Sequence, residues 1–229
     1  AWLGACGAGF LLTQSATVSL STAGCVIVIA ALVVQRRVPV RLRLRVVGIF
    51  AAVGMLVAIG AFFARHAIAD AFGRSPDMSG RSVIWHAVEP LVGQRPIGGW
   101  GWFIGWPTWM EPCASLVIRP DGTPTNQAHN VYVEAALTTG FVGAFLVTAA
   151  IVWTLLRVVK VAVAHIDDNL WDVVPAVLMI AMFIQSFTES RMLFEGNWML
   201  FVIIATWVKV RGEVPVVWPS AARQYLEYS

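Results

Sequence analysis

Apolar residues come in long blocks along this chain, and the polar ones gather between them. A membrane helix needs about 20 mostly apolar residues, and five blocks approach that length: 14–34, 46–64, 131–156, 173–188 and 198–210. The last is brief, so its helix is expected to start a few residues before 198. A further apolar run, "AWLGACGAGFLL" at 1–12, reads as the end of a helix already under way, in a fragment whose N-terminal part is missing. No charged segment precedes it, which argues against a signal peptide. Between the second and third blocks lies a 64-residue stretch, 65–128. There, "SPDMSGRSVIWHAVEPLVGQRP" predicts a helix, with Arg81, Ile84, Trp85 and Val88 on one face at i, i+3, i+4 and i+7. Asp77 or Ser79 would cap it, and Pro90 or the 93–96 stretch would end it. "PIGGWGWFIGWP" follows as a turn in which glycine permits close backbone approach. Internal repeats are absent and the strand signal is weak. The expected fold is an all-α polytopic membrane protein with one structured outer loop. Its divisions are helices over 1–64, the loop over 65–128, three helices over 129–210 and a tail over 211–229.

Composition supports this reading. Of 229 residues, 58% are hydrophobic and 13% charged, against about half and a quarter in soluble domains. The net charge of +3 comes from arginines between apolar runs, which suits anionic headgroups better than nucleic acid. Orientation follows from their distribution. The connector "QRRVPVRLRLR" carries Arg36, Arg37, Arg41, Arg43 and Arg45 and no acid, which places it in the cytoplasm by the positive-inside rule. Arg157, Lys160, Lys209 and Arg211 then fall on the same side, and 65–128 falls outside. That loop balances five arginines with Asp70, Asp77, Glu89, Glu111 and Asp121. It also holds Trp85, Trp100, Trp102, Trp106 and Trp109, a content that argues against disorder. Three scattered cysteines give neither a disulfide framework nor metal-ligand spacing.

Candidate chemistry gathers around the loop's two ends. Asn130 is placed to cap the helix beginning at Val131. Glu134 lies one turn inside it, where a carboxylate so near a membrane marks a functional site by default. The cap accounts for Asn130 but not for His129, an imidazole at the helix mouth. Ala136, Gly140 and Ala144 form a small-residue stripe for close helix packing, on a face apart from Asn130 and Glu134. Arg81, beside Trp85 on an otherwise apolar face, suits bidentate binding of phosphate oxygens, and Arg65, Arg74 and Arg95 can extend an anion site. Trp85, Trp100 and Trp102 offer flat faces that suit either the interfacial belt or a sugar ring. Glu189 and Arg191 read most simply as a local ion pair. Nothing in the spacing calls for a metal or a nucleotide.

Taken in order, "SGRSVIWHAVEPLVGQRPIGGWGW", "QAHNVYVEAALTTGFVGAFL" and "SFTES" resemble the signature of the O-antigen ligase/polymerase family, over about residues 14–210. The resemblance implies a helical bundle of the GT-C type in a bacterial inner membrane. It implies an inverting, metal-independent enzyme with no cofactor, which moves a glycan from a polyprenyl diphosphate carrier to an acceptor hydroxyl at the outer face. Its partners would be that lipid-linked donor, a glycan or glycolipid acceptor and membrane lipids, with no nucleic acid. Arg81 matches the loop arginine facing the donor diphosphate, and His129 the histidine taken as base. Glu134 would orient the imidazole, with Glu189 beside the substrate. One departure stands out: the family shows Ser followed by Arg near the start of the 14–34 block, and here Ser15 is followed by Ala16. Alternative readings are a polymerase of the same family, a non-catalytic binder or transporter of lipid-linked glycans, and a plain membrane scaffold.

Overall fold

A computed structural model describes residues 16–64, 81–103, 105–116, 122, 124–167 and 170–213. Arg65, Arg74 and the Ser15 departure lie outside the described residues, as do both suggested caps of the loop helix. The described residues are mostly helical and form no strand. Seven helices are α1 (Ala16–Gln35), α2 (Val40–Phe63), α3 (Arg81–Gln94), α4 (Cys113–Leu116), α5 (Val131–His165), α6 (Val174–Gln185) and α7 (Glu195–Glu213). Short 3-10 turns at Leu170–Val173 and Arg191–Leu193 introduce α6 and α7.

α1, α5, α6 and α7 share the larger core, centred on Ala135, Ile151, Val158, Ala162, Ala176 and Met179. α1 lies close on α6, since a Cβ on Gly24 would come within 2.5 Å of the Ile184 side chain. Outward faces are apolar too: Leu56, Phe145 and Trp153 are 68%, 70% and 67% exposed. Apolar surface exposed on this scale marks a contact with lipid or with another protein. α5 is long and apolar enough to cross a membrane, with a mean hydropathy of 2.1. α6, at 12 residues, rises only about 18 Å and does not span a hydrocarbon core of about 30 Å alone.

The arginine-rich connector is shorter than the pattern suggested. α2 begins at Val40, so Arg41, Arg43 and Arg45 ride on its first turns, consistent with the good helix propensity of Arg and Leu. Arg43 pairs with Asp167 at 2.7 Å, and both Nε and Nη2 of Arg36 donate to the Ile166 carbonyl at 3.1 Å. These bonds fasten α1 and α2 to the far end of α5, where Arg211 also holds Asp172 at 2.8 Å.

Two expectations about the loop and α5 need correction. Of the two expected ends of α3 the 93–96 stretch holds, with the helix closing at Gln94, while Pro90 sits inside it, on an exposed face where water can satisfy the carbonyl it leaves unpaired. More consequentially, α5 is broken. Gly140 has φ 67° and ψ −174°, so a short arm over 131–139 meets a long arm over 141–165 at a corner. The expected packing stripe through Ala136, Gly140 and Ala144 therefore does not exist as one helix face. The cause is the Gly/Trp turn, which enters the break. Its Trp100 and Gly101 amides donate to the Leu137 and Thr138 carbonyls, both at 2.9 Å, and Phe141 N–H donates to the Pro96 carbonyl at 2.7 Å. Each bond fills a backbone group that the break would otherwise orphan. Backbones cross here at two glycines. A Cβ on Gly99 would come within 2.5 Å of the Thr138–Gly140 backbone, and one on Gly140 would overlap the Ile97 carbonyl. The long arm's 25 residues still rise about 37 Å, enough to cross a bilayer.

Candidate functional site

Three segments meet at the head of α5. The first is the start of α3, carrying Arg81 and Trp85. The second is the chain entering α5, with Ala128, His129 and Asn130. The third runs from the end of α6 into the following 3-10 turn, with Ser186, Glu189 and Ser190.

Asn130 caps α5 as its identity predicts: Oδ1 accepts from the Tyr132 and Val133 amides at 2.9 and 3.1 Å. Its other bonds reach across to the third segment. Asn130 N–H donates to Ser190 Oγ at 3.1 Å, Nδ2 to the Phe187 carbonyl at 3.2 Å, and Val131 N–H to the Ser186 carbonyl at 2.9 Å. Tyr132 adds a hydroxyl bond to Ser186 Oγ at 2.9 Å and a tilted ring contact with Phe187 at 5.2 Å.

Glu189 lies where the three segments converge. Its Oε1 accepts from Arg81 Nη2 at 3.3 Å and its Oε2 faces His129 Nδ1 at 3.2 Å. The expected local pairing of Glu189 with Arg191 gives way to these two longer-range partners. The hydrogen bond with His129 holds the Glu189 carboxyl below its ordinary value. Partial burial opposes this, and the charges of His129, Arg81 and Arg191 add to it. A carboxylate only accepts, so in the neutral imidazole the His129 proton is assigned to Nδ1 and the Nε2 lone pair is left free. Among the described residues Nε2 makes no hydrogen bond, and the side chain is 31% exposed. Arg81 is also only partly committed, because its buried Nε has no partner. Beside Glu189 a recess is lined by Gln185, Ser186, Arg191 and Asn197 with Met182 and Met192.

Glu134 stands apart from this trio, although it lies on the neighbouring turn. It is 1% exposed, and its oxygens accept from Trp106 Nε1 at 2.9 Å, Ala128 N–H at 2.6 Å and Ser190 Oγ at 3.3 Å. The imidazole is therefore bonded to Glu189 and not to Glu134, and Glu134 offers no open surface to a substrate. Cys113 is fully buried in the loop's own small core with Ile84, Val88, Phe103 and Trp106. Burial, then Glu134 and Glu111, push its thiol up to about 12.

The tryptophans divide by role. Trp85 donates Nε1 to the Ala128 carbonyl at 2.9 Å, bracing the residue before His129. Trp100 donates to the Leu91 carbonyl at 2.8 Å and has the Arg95 guanidinium 4.1 Å over its ring. That ring face is taken, at the opposite end of α3 from Arg81. Trp102 is 52% exposed. The geometry thus gathers Arg81, Trp85, His129, Asn130, Glu134 and Glu189, and leaves out Trp100. It adds Ser186 and Ser190, which bracket Glu189 in the "SFTES" motif but were not singled out there, and Trp106, marked only by its place among the loop tryptophans.

No curated protein and no solved structure matches the chain. A family described as O-antigen ligase matches residues 1–148, a stretch that contains Arg81, His129 and Glu134 and stops short of Glu189. With more than half of its 229 residues matched, the chain belongs to the O-antigen ligase family, membrane enzymes that resemble glycosyltransferases and process glycans.

Proposed function

We propose that this protein transfers a glycan from a polyprenyl diphosphate carrier to an acceptor hydroxyl, with His129 as general base and Arg81 on the donor diphosphate. One observation carries the reading: a single carboxylate, Glu189, joins the Arg81 guanidinium to the His129 imidazole while Nε2 stays open. An imidazole backed by a carboxylate through one nitrogen presents its other nitrogen as an acceptor. In the reaction the acceptor oxygen attacks the anomeric carbon and its proton passes to His129 Nε2. The bond from that carbon to the diphosphate oxygen breaks, and the charge developing on the diphosphate is stabilised by Arg81. Preorganised guanidinium donors can do this without a metal. Back-side attack inverts the anomeric centre. Glu189 fixes the imidazole's tautomer and orientation and keeps Arg81 aimed before the donor arrives.

The long loop is assigned to the outer face of a bacterial inner membrane, by the arginine distribution and by the chemistry of lipid-linked donors. A ligase and a polymerase would share this machinery and differ in acceptor. Arg65, Arg74 and Trp102 remain proposed contacts for the donor's phosphates and sugars.

Substitution of His129 by Gln in the full-length protein, reconstituted with a polyprenyl-diphosphate oligosaccharide and acceptor glycolipid, tests the base. Gln keeps a hydrogen bond but cannot take the proton, so turnover falls about 10²–10⁴-fold with donor affinity intact. Near-normal transfer by His129→Gln would sink the assignment. A binder or transporter would keep its whole function in that variant.

A further inference from the structure

His129 stands in an unusual backbone state. Its φ of 52° makes it the one non-glycine residue with positive φ among the described residues. Side chains rarely occupy that region, and a residue stays there only when its surroundings over-determine it. What holds it is visible on either side. Ahead of it, Ala128 N–H donates to Glu134 Oε2 at 2.6 Å and the Ala128 carbonyl accepts from Trp85 Nε1 at 2.9 Å. After it, Asn130 N–H donates to Ser190 Oγ at 3.1 Å, and that hydroxyl donates in turn to Glu134 Oε2 at 3.3 Å. The chain on both sides of His129 therefore ends on one buried carboxylate.

We propose that Glu134 is a positioning residue, which holds the left-handed turn at His129 and so keeps the imidazole on Glu189. The inference rests on the reading of His129 as the base, and it gives Glu134 a task distinct from substrate contact. Every group facing the carboxylate is a donor: Trp106 Nε1–H, Ala128 N–H and Ser190 O–H. Only an acceptor at both oxygens satisfies all three. An amide must turn its NH2 toward one of these donors and lose that bond. Trp106 extends the same link into the loop, so the loop's contact with α5 reaches His129 through Glu134.

Glu134→Gln in the full-length protein, in proteoliposomes with a polyprenyl-diphosphate oligosaccharide and acceptor glycolipid, is the test. A catalytic group misplaced by about 1 Å can lose a hundredfold in rate, so kcat is expected to fall about a hundredfold while the donor KM holds. A defect that acts through His129 leaves the Glu134→Gln/His129→Gln double variant no slower than His129→Gln alone. A second readout needs no turnover. Carbon-13 NMR of Glu189, the carboxylate facing His129, Arg81 and Arg191, should show its titration moving up in Glu134→Gln as the His129 bond loosens. Should Glu134→Gln fail to fold, Trp106→Phe removes one of the three bonds and is expected to show the same split between kcat and KM, in weaker form. Wild-type kcat in the folded variants, losses that multiply in the double variant, or an unmoved Glu189 titration would each overturn the proposal. Failure of the base assignment itself appears elsewhere, as near-normal transfer by His129→Gln alone.

Discussion

Replacing Gly140 with alanine puts the broken helix to a test in which the two readings of this segment differ in sign. In an unbroken helix the change would remove backbone entropy from the unfolded chain and stabilise the protein by about 0.5–1 kcal/mol. In the structure, Gly140 has φ 67° and ψ −174°, a region populated almost only by glycine, and a Cβ there would overlap the Ile97 carbonyl. Holding alanine in that conformation costs about 1–3 kcal/mol. The overlap also pushes the Gly/Trp turn out of the break, which puts at risk the bonds of Trp100, Gly101 and Phe141 to Leu137, Thr138 and Pro96. At about 0.5–1.5 kcal/mol each, their loss adds about 1.5–4.5 kcal/mol. The expected destabilisation is therefore about 2.5–7.5 kcal/mol, comparable at its upper end with the whole stability of many domains. Thermal unfolding of the purified protein in nanodiscs measures the total, and hydrogen exchange locates it. Protection should collapse at the Trp100, Gly101 and Phe141 amides and persist in the long arm of α5. A Gly140→Ala protein as stable as wild type, with those three amides still protected, would refute the inserted turn.

Other expectations follow from the same geometry. Arg81→Lys keeps the charge but loses the planar fork, so donor affinity or turnover should fall roughly tenfold to a hundredfold, the equivalent of about 1.5–3 kcal/mol, in the reconstituted transfer assay. The Glu189 carboxyl is held below its ordinary value of 4.5, so its contribution to stability is fully present above that pH and fades as the pH drops through the lower, folded value. Glu189→Gln should flatten that acid limb in unfolding curves measured between about pH 5 and 3. Cys113, fully buried with its thiol pushed up to about 12, should resist maleimide at neutral pH in the folded protein and react once it unfolds. Asn130→Ala should cost about 1 kcal/mol in thermal unfolding through the lost cap.

What the sequence disclosed was local. The Asn130 cap depends on residues two and three positions away, and the buried face of α3 repeats every turn through Ile84 and Val88. The beginning of α7 before residue 198 was also expected. His129 and Arg81 stood out because an imidazole and a guanidinium sit beside otherwise apolar stretches. What joins them was not legible. Glu189 is 108 residues from Arg81 and 60 from His129 along the chain, and its nearest charged neighbour in sequence, Arg191, suggested the wrong partner. The break at Gly140 was hidden for a related reason. Hydrophobic periodicity records which residues are apolar, and 131–156 is apolar on both sides of Gly140, so a corner made by an outside turn leaves no trace in it. Glu134 was partly hidden for the same cause: two of its three donors, Trp106 and Ser190, lie in other segments, and position alone made the carboxylate look free.

The crossing of Gly99 over Gly140 also bears on how such proteins are built and exchanged. Because the turn enters the helix backbone, the loop cannot take its final form until the chain through Phe141 has been synthesised. During synthesis the turn over 96–101 must wait, with its Trp100 and Gly101 amides and Pro96 carbonyl unmatched, for a segment still inside the ribosome. The two pieces then set together, as a keystone closes an arch. A hybrid made by grafting one relative's loop onto another's helices would cut through that joint if the boundary fell between 101 and 137. Taking 81–165 as the unit of exchange keeps both glycines, the Trp106–Glu134 bond and His129 on the same piece.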